Sequence, residues 1–364
     1  MKRSQLIQLL VGIVLSVAML WWVFKDMKLA DMIDSFKSVH YVWLIPSLAV
    51  FYFGMWLRGL RWSWLFRPNY RVPVSRATGG MFICFAFNSI FGMRLGEFAR
   101  SYLVGKRDKT GFSTAFGTVV AERLLDGLTL LACMVVALSI VPIPLDTKLN
   151  IDVFGKTQEL TGATIVKVER QMIVLCLVLM IGIAMISVAR TRFWLLSLMH
   201  KARFIPEGIR HRIEEMIHKF AEGLASFHSP GRLVWLFVLS FAAWMTTAAS
   251  VMFLAWGFDF QTRMGFSQAF ALVVIVCIFI TVSPTPGYWG FYEAGTVLAI
   301  VVMNIHANDA LVRSYAILLH LTQYIPIVIV GLPLAWFSHV SVGEIKKEKA
   351  EQAREAHEEE KAVS

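Results

Sequence analysis

Asn88-Ser89-Ile90-Phe91-Gly92-Met93-Arg94-Leu95-Gly96-Glu97 interrupts one long apolar stretch of the chain. Ser283-Pro284-Thr285-Pro286-Gly287-Tyr288-Trp289-Gly290-Phe291-Tyr292-Glu293 interrupts another. Each interruption has Gly near its middle, aromatic neighbours and a Glu at its far end. Broken polar backbone survives in a bilayer only where it lines a cavity or is buried in protein. A matched pair, one in each half of a chain, is the sequence pattern that points to a transport site.

The surrounding composition places the chain in a membrane. It is 57% hydrophobic and 16% charged, against roughly 25% charged in soluble domains, and its mean hydropathy is +0.62. Apolar runs recur at residues 6–24, 41–57, 172–189, 233–258, 264–291 and 314–337. Most of them reach the ~20 residues that an α-helix needs to cross a ~30 Å core. The net charge of +10 does not point to nucleic acid, because Lys and Arg sit in loops between apolar runs, as the positive-inside rule expects. Cys84, Cys133, Cys176 and Cys277 lie inside apolar runs without a CxxC pair, so they read as small buried hydrophobes. The N-terminal run is too long for a signal-peptide core and has no small-residue cleavage site; it reads as an uncleaved first span.

Loop charges then set the topology. Lys2 and Arg3 place the N-terminus in the cytoplasm of a cell bounded by a cytoplasmic membrane. Arg58, Arg61, Arg67, Arg71 and Arg76 make the next loop cytoplasmic. The run 77–98 is followed by Arg100, Lys106, Arg107 and Lys109, so both of its flanks look cytoplasmic. A re-entrant hairpin turning near residues 88–92 resolves that conflict. The next span covers 112–141, and residues 143–170 form an external segment. A span over 171–189 returns the chain to the most basic stretch. There Ile209, Ile213, Met216, Ile217, Phe220, Leu224 and Phe227 recur at helical spacing, predicting a cytoplasmic amphipathic helix over 193–228 that lies on anionic lipid. A span over 233–258, a broken element over 264–304 and a last span over 314–337 follow. The expected fold is an all-α polytopic membrane protein of about eight membrane elements. They form an inverted repeat, with halves 1–142 and 171–340 in a single domain 1–340. Two elements are broken or re-entrant hairpins, and residues 341–364 form a charged cytoplasmic tail.

Three clusters could carry chemistry. Arg94, Glu97 and Arg100 have i, i+3, i+6 spacing, so neighbours share a helix face. Glu122, Arg123 and Asp126 lie roughly 13–20 Å into their span by the helical rise. Charges at that depth cost about 2.5–3.5 kcal/mol each on insertion scales and persist when they pair or face water. In the second break, Pro284 and Pro286 remove backbone donors. The half-helix after Gly287 offers free N–H groups at its N-terminus, an anion seat, with Glu293 close behind. Arg94, Arg100 and Arg123 nearly balance Glu97, Glu122, Asp126 and Glu293. Such a set suits a phosphate that takes Arg donors from carboxylates, and a carboxylate released in this way gains affinity for a proton. Proton-coupled movement of an anionic headgroup is therefore physically available. His320, Gln323 and Tyr324 are expected to make a polar interhelical contact. The run Trp56-Leu57-Arg58-Gly59-Leu60-Arg61-Trp62 mixes aromatic and basic residues as an interfacial belt does, which makes Arg61 a secondary candidate. No nucleotide, hydrolase or metal fingerprint is present, so neither a cofactor nor a metal is expected.

Asn88-x5-Arg94-x-Gly96-Glu97-x-x-Arg100, followed by Ala121-Glu122-Arg123-x-x-Asp126, resembles the signature of the lysylphosphatidylglycerol synthase transmembrane region, a family of flippase-like integral membrane proteins. Ser283-Pro284-x-Pro286-Gly287-x-x-Gly290-x-x-Glu293 is similar to its second motif and Leu60-Arg61-Trp62 to a weaker one. The resemblance covers roughly residues 5–340. The family usually has Pro near Gly92, so the first break is expected to be softer here. In multidomain relatives this region translocates an aminoacylated phospholipid made by a fused aminoacyltransferase. These 364 residues hold no such domain, so a stand-alone form with another substrate is expected. The resemblance implies lipid translocation as a class, of a phospholipid or polyprenyl-phosphate type. Partners would be membrane lipids and envelope-lipid or glycan biosynthesis enzymes. A transporter is thus expected rather than an enzyme. The competing readings are an intramembrane phosphatase, a polyprenyl-donor transferase, or a non-catalytic membrane partner.

Overall fold

The computed structural model describes residues 3–25, 27–91, 95–140, 148–153, 156–161, 229–260, 264–283, 285–303 and 308–338, with a few isolated positions besides. The expected span over 171–189, the amphipathic helix over 193–228 and the tail 341–364 lie outside the described residues, as do Arg94 and Pro284.

Ten α-helices account for almost all of the described chain. They are α1 (Arg3–Phe24), α2 (Leu29–Lys37), α3 (Leu44–Leu65), α4 (Val74–Phe91), α5 (Leu95–Arg107), α6 (Phe112–Ile140), α7 (Pro230–Ala255), α8 (Phe266–Val282), α9 (Phe291–Val302) and α10 (Asp309–Phe337). The described chain is helical, as expected, but for one short hairpin. Within 143–170, β1 (Lys148–Val153) and β2 (Lys156–Thr161) pair antiparallel, with Lys148 opposite Thr161. Leu149, Ile151 and Val153 alternate with polar residues, a period-2 pattern that suits a strand, and only Phe154 and Gly155 separate the two strands.

Tyr41–Leu65, Gly231–Ala255 and Asp309–Phe337 are long and apolar enough to cross a membrane. Helix α6 has the length, with 29 residues, but carries three charges in its middle. The outward faces are apolar: Val14 and Val17 of α1, Ile45 of α3, and Ile329 and Trp336 of α10 are all exposed. Lipid contact accounts for such exposure. Helix α7 begins at Pro230, where a missing N–H costs nothing. Helix α10 is capped by the Asn308 side chain, which accepts a bond from the Leu311 N–H at 2.7 Å.

Helices α3 and α7 run antiparallel along their lengths. Ser47 Oγ donates to the Ser250 carbonyl at 2.8 Å, and Ser250 Oγ donates to the Ser47 carbonyl at 2.9 Å. Gly54 faces Thr246, and Arg58 donates to Thr247 Oγ1 at 2.9 Å. Small residues and hydroxyls of this kind are what membrane helices use to approach closely.

Helices α4 and α5 form a tight antiparallel hairpin. The Gly96 N–H donates to Asn88 Oδ1 at 2.8 Å, Arg100 lies against Met81, and Arg76 pairs with Asp108. Val74 and Arg107 therefore lie at the same end, and Phe91 and Leu95 at the other. Asn88 and Ser89 remain helical, so α4 runs on past the start of the expected break. Helices α8 and α9 make the second hairpin, joined through residues 283–290. By the rise of 1.5 Å per residue α9 is only about 18 Å long, short of a ~30 Å core.

The two hairpins are held reciprocally. Helix α4 packs on α10, with Gly331 against the Phe82 carbonyl, while α8 packs on α6, whose Leu130, Leu131 and Cys133 join the α8 core. The hairpin tips also meet: a Cβ at Gly287 would lie 2.9 Å from the Ser89 carbonyl oxygen. Helix α1 covers the second tip, with Met19 and Ser16 against Gly290.

A Cβ at Gly96 would come within 1.8 Å of the Cys84 carbonyl oxygen, whereas one at Gly127 meets nothing within 4 Å. Gly96→Val is expected to lower the thermal unfolding temperature of the detergent-solubilised protein by several degrees, in line with an overpacking cost of about 1–3 kcal/mol. Gly127→Ala should leave that temperature unchanged.

Candidate functional site

The charged side chains of α3, α5 and α6 converge. Arg61, on α3, donates to Asp126 and to Ser240 Oγ of α7 at 2.7 Å, and pairs with Glu122 Oε1 at 3.2 Å. Arg100 donates to Glu122 Oε2 at 2.8 Å, and its guanidinium sits 4.7 Å from the centre of the Trp62 ring. Trp62 is fixed in turn by its indole N–H, which donates to Thr118 Oγ1 at 3.1 Å. Arg61, Arg100 and Glu122 are almost wholly buried. The helical geometry makes this possible: Glu122 and Asp126 are one turn apart on α6, so both present to the same arginine.

Towards the hairpin tip the network opens. Arg123 Nε lies 3.4 Å from Glu97 Oε1, Arg123 Nη1 lies 3.6 Å from Asp126 Oδ2, and the Arg123 side chain is 35% exposed. Asn88 Nδ2 donates to Glu97 Oε2 at 3.4 Å. Three arginines thus face three carboxylates. Several donors are still unspent: Arg61 Nε and Arg100 Nε and Nη2 are buried without a hydrogen-bond partner among the described residues, and Arg123 Nε has only the 3.4 Å approach of Glu97.

A second cluster lies beyond the tip contact. Glu293 Oε2 accepts the Gly290 N–H at 2.7 Å, and Glu293 Oε1 lies 2.7 Å from His320 Nδ1 of α10. The imidazole stacks on Tyr292 with centroids 4.4 Å apart and lies 4.4 Å from Trp289, with Tyr324 at its edge. Gly287 and Gly290 have φ of 63° and 86°, backbone that favours glycine. Pro286 and Gly287 sit in a single tight turn between the half-helices.

The sequence candidates therefore fall into two groups. Asn88, Glu97, Arg100, Glu122, Arg123 and Asp126 come together with Arg61. Glu293 pairs with His320 instead of an arginine, with Tyr324 beside it and Gln323 half-buried on the same helix. The interfacial-belt reading of residues 56–62 is corrected for Arg61 and Trp62, which are both buried. Ser240 was not among the sequence candidates, nor was Arg58, whose guanidinium lies 5.8 Å from the centre of the Trp244 ring. The usable signal was the depth of Arg58 and Arg61 within an apolar run. Among the described residues no group of three or more His, Cys, Asp or Glu is placed to hold a metal ion.

Residues 9–331 match the family model described as "Lysylphosphatidylglycerol synthase TM region". The chain belongs to this family. A stretch of 89 residues is also similar to a protein named "Glycosyltransferase AglD" from Haloferax volcanii, at 34% identity. That stretch is 24% of this chain and 14% of the relative, so the chain spans a small part of the protein it matches. The family and the apolar helices together make this a membrane protein.

Glu122 holds two buried arginines at once. Glu122→Gln is expected to destabilise the protein by about 3–5 kcal/mol, the cost of leaving a buried charge without its partner. Arg76→Gln should cost far less, because that pair is partly solvated. Thermal unfolding of both variants in one detergent checks the difference.

Proposed function

We propose that this protein moves an amphiphile with an anionic headgroup, of the phospholipid or polyprenyl-phosphate type, across the cytoplasmic membrane. The observation that carries the reading is the set of buried arginine donors without hydrogen-bond partners among the described residues, beside a half-open Arg123. A phosphate oxygen accepts hydrogen bonds from such forks in a bidentate manner. Glu97 and Asp126 hold Arg123 only at 3.4 and 3.6 Å, so an incoming phosphate can displace them at low cost. Glu122 is locked on both sides and serves to keep Arg61 and Arg100 charged and aimed.

The two hairpins supply the path. Both are re-entrant in this reading, the first opening from the cytoplasm and the second from the opposite side, with both termini cytoplasmic. Helix–hairpin–helix, α3 to α6, is then repeated in inverted form as α7 to α10, giving about eight membrane elements with the uncharacterised span over 171–189. The reciprocal packing supports the repeat: each hairpin leans on the final helix of the other half, and α3 packs on α7 about the centre. Hairpin tips that touch at Ser89 and Gly287 would let one headgroup pass between sites without meeting hydrocarbon.

A second reading, an intramembrane enzyme acting on a polyprenyl-linked sugar donor, rests on the similarity to AglD. Reconstitution separates the two. In liposomes holding headgroup-labelled anionic lipids, leaflet accessibility should equilibrate at least tenfold faster with the protein than without it. Arg100→Gln and Arg123→Gln should remove most of that gain. If no lipid moves faster than in empty liposomes, with or without a pH gradient, the transport reading fails; chemically altered lipid would favour the enzyme. For the topology, a cysteine at Ser113 in a cysteine-free background should label from the cytoplasm, and labelling from the outside would remove the first hairpin.

A further inference from the structure

Glu97 and Glu293 occupy the same position in the two hairpins. Each is the third residue of the returning half-helix, counting from Leu95 of α5 and from Phe291 of α9. Their partners also correspond. Arg123 is the twelfth residue of α6, counting from Phe112, and His320 is the twelfth of α10, counting from Asp309. The structure thus contains two carboxylates paired with a side-chain nitrogen in matching places, Glu97 with Arg123 at 3.4 Å and Glu293 with His320 at 2.7 Å. They differ in one chemical property. An arginine keeps its proton throughout the physiological range, whereas histidine is the side chain that ordinarily changes charge there.

We propose that the Glu293–His320 pair is a proton-binding site, the coupling-ion counterpart of the headgroup-gripping Glu97–Arg123 pair. The inference rests on the transport reading for its use, though not for its chemistry. Glu293 Oε2 accepts the Gly290 N–H, which orients the carboxylate. With Glu293 ionised, its Oε1 at 2.7 Å can only accept, so Nδ1 is the ring nitrogen that donates. The added proton then goes to Nε2, and no other bond forms or breaks. The pair changes from one net negative charge to zero. Tyr292 and Trp289 cover the ring at 4.4 Å each, where aromatic faces stabilise an imidazolium.

Among the described residues, few groups face His320. Helix α9 brings Glu293 and Tyr292, the turn before it brings Trp289, and α10 itself brings Tyr324. Tyr315 lies farther along α10 and donates to the Val251 carbonyl of α7. Helix α4 packs on α10 with Cys84 and Asn88 in its buried half, and its one charged residue, Arg76, is at the far end beside Asp108. The tip residues 92–94, Arg94 among them, lie outside the described residues. A proton at His320 removes the net negative charge next to the touching tips. Its arrival would ease an anionic headgroup from the arginine cluster across the Ser89–Gly287 contact, and its departure would disfavour the return.

The test uses the indole beside the imidazole, since a protonated imidazole quenches a neighbouring tryptophan. In nanodisc-reconstituted protein, lowering the pH from 8 to 5 should quench a share of the fluorescence that is absent from both Trp289→Phe and His320→Gln. Persistence of the full pH response in His320→Gln, or in the conservative Trp289→Phe, overturns the site. In the liposome assay, an imposed pH gradient should change the wild-type lipid rate at least threefold and leave His320→Arg, which copies the first pair, unresponsive. A His320→Arg rate that follows the gradient like wild type overturns coupling. Quenching without any lipid movement leaves the proton site standing and removes the transport reading alone.

Discussion

Glu122 has both carboxylate oxygens committed, one to Arg61 of α3 and the other to Arg100 of α5. All three groups are excluded from solvent, where an unpaired charge would cost several kcal/mol. That single requirement fixes much of the architecture. Helix α5 has to return alongside α4, because Arg100 can reach α6 only from there. Helix α3 has to lie where Arg61 meets both Glu122 and Asp126, and α7 follows because Ser240 Oγ also accepts from Arg61 Nη1. Such pairs contribute little net stability compared with a packed apolar core. Their value lies in holding guanidinium groups charged, aimed and still short of partners inside an apolar bundle.

Around this network the fold balances one hairpin against the other. Each is a pair of antiparallel helices braced by a long helix, α4 on α10 and α8 on α6. Small residues set the spacing: Gly96 against Cys84, Gly331 against Phe82 and Gly287 against Ser89. The approach of Gly287 to α4 brings the hairpins together between the arginine cluster and the His320 cluster. Glu97–Arg123 and Glu293–His320 place different chemistry on a common frame. Arginine is a permanent cation, and histidine is a cation only when protonated.

Much of this was legible in the residues. Polar, glycine-bearing interruptions within apolar runs have few stable solutions in a bilayer, so both breaks could be located to within a few residues. Charges at mid-helix depth have equally few, so Glu122, Arg123 and Asp126 stood out. Arg61 did not, because an arginine between tryptophans near a basic loop looks the same whether it snorkels to headgroups or turns inward. The β-hairpin at Lys148–Thr161 was also missed: a short polar segment with weak alternation carries little signal beside twenty-residue apolar runs.

The sequence by itself determined that this is a helical membrane chain with two broken elements and a set of deeply placed charges. Hydropathy and charge are local, additive properties of neighbouring residues, and the bilayer admits few answers to them. Only the tertiary structure decided who partners whom. Glu293 could have joined the arginines, yet it faces His320; Arg61 could have met water, yet it lies at the centre of the network. Those choices depend on which faces meet after α3, α6, α7 and α10 pack around the hairpins, and contacts across roughly 30 to 65 residues leave no trace in local spacing.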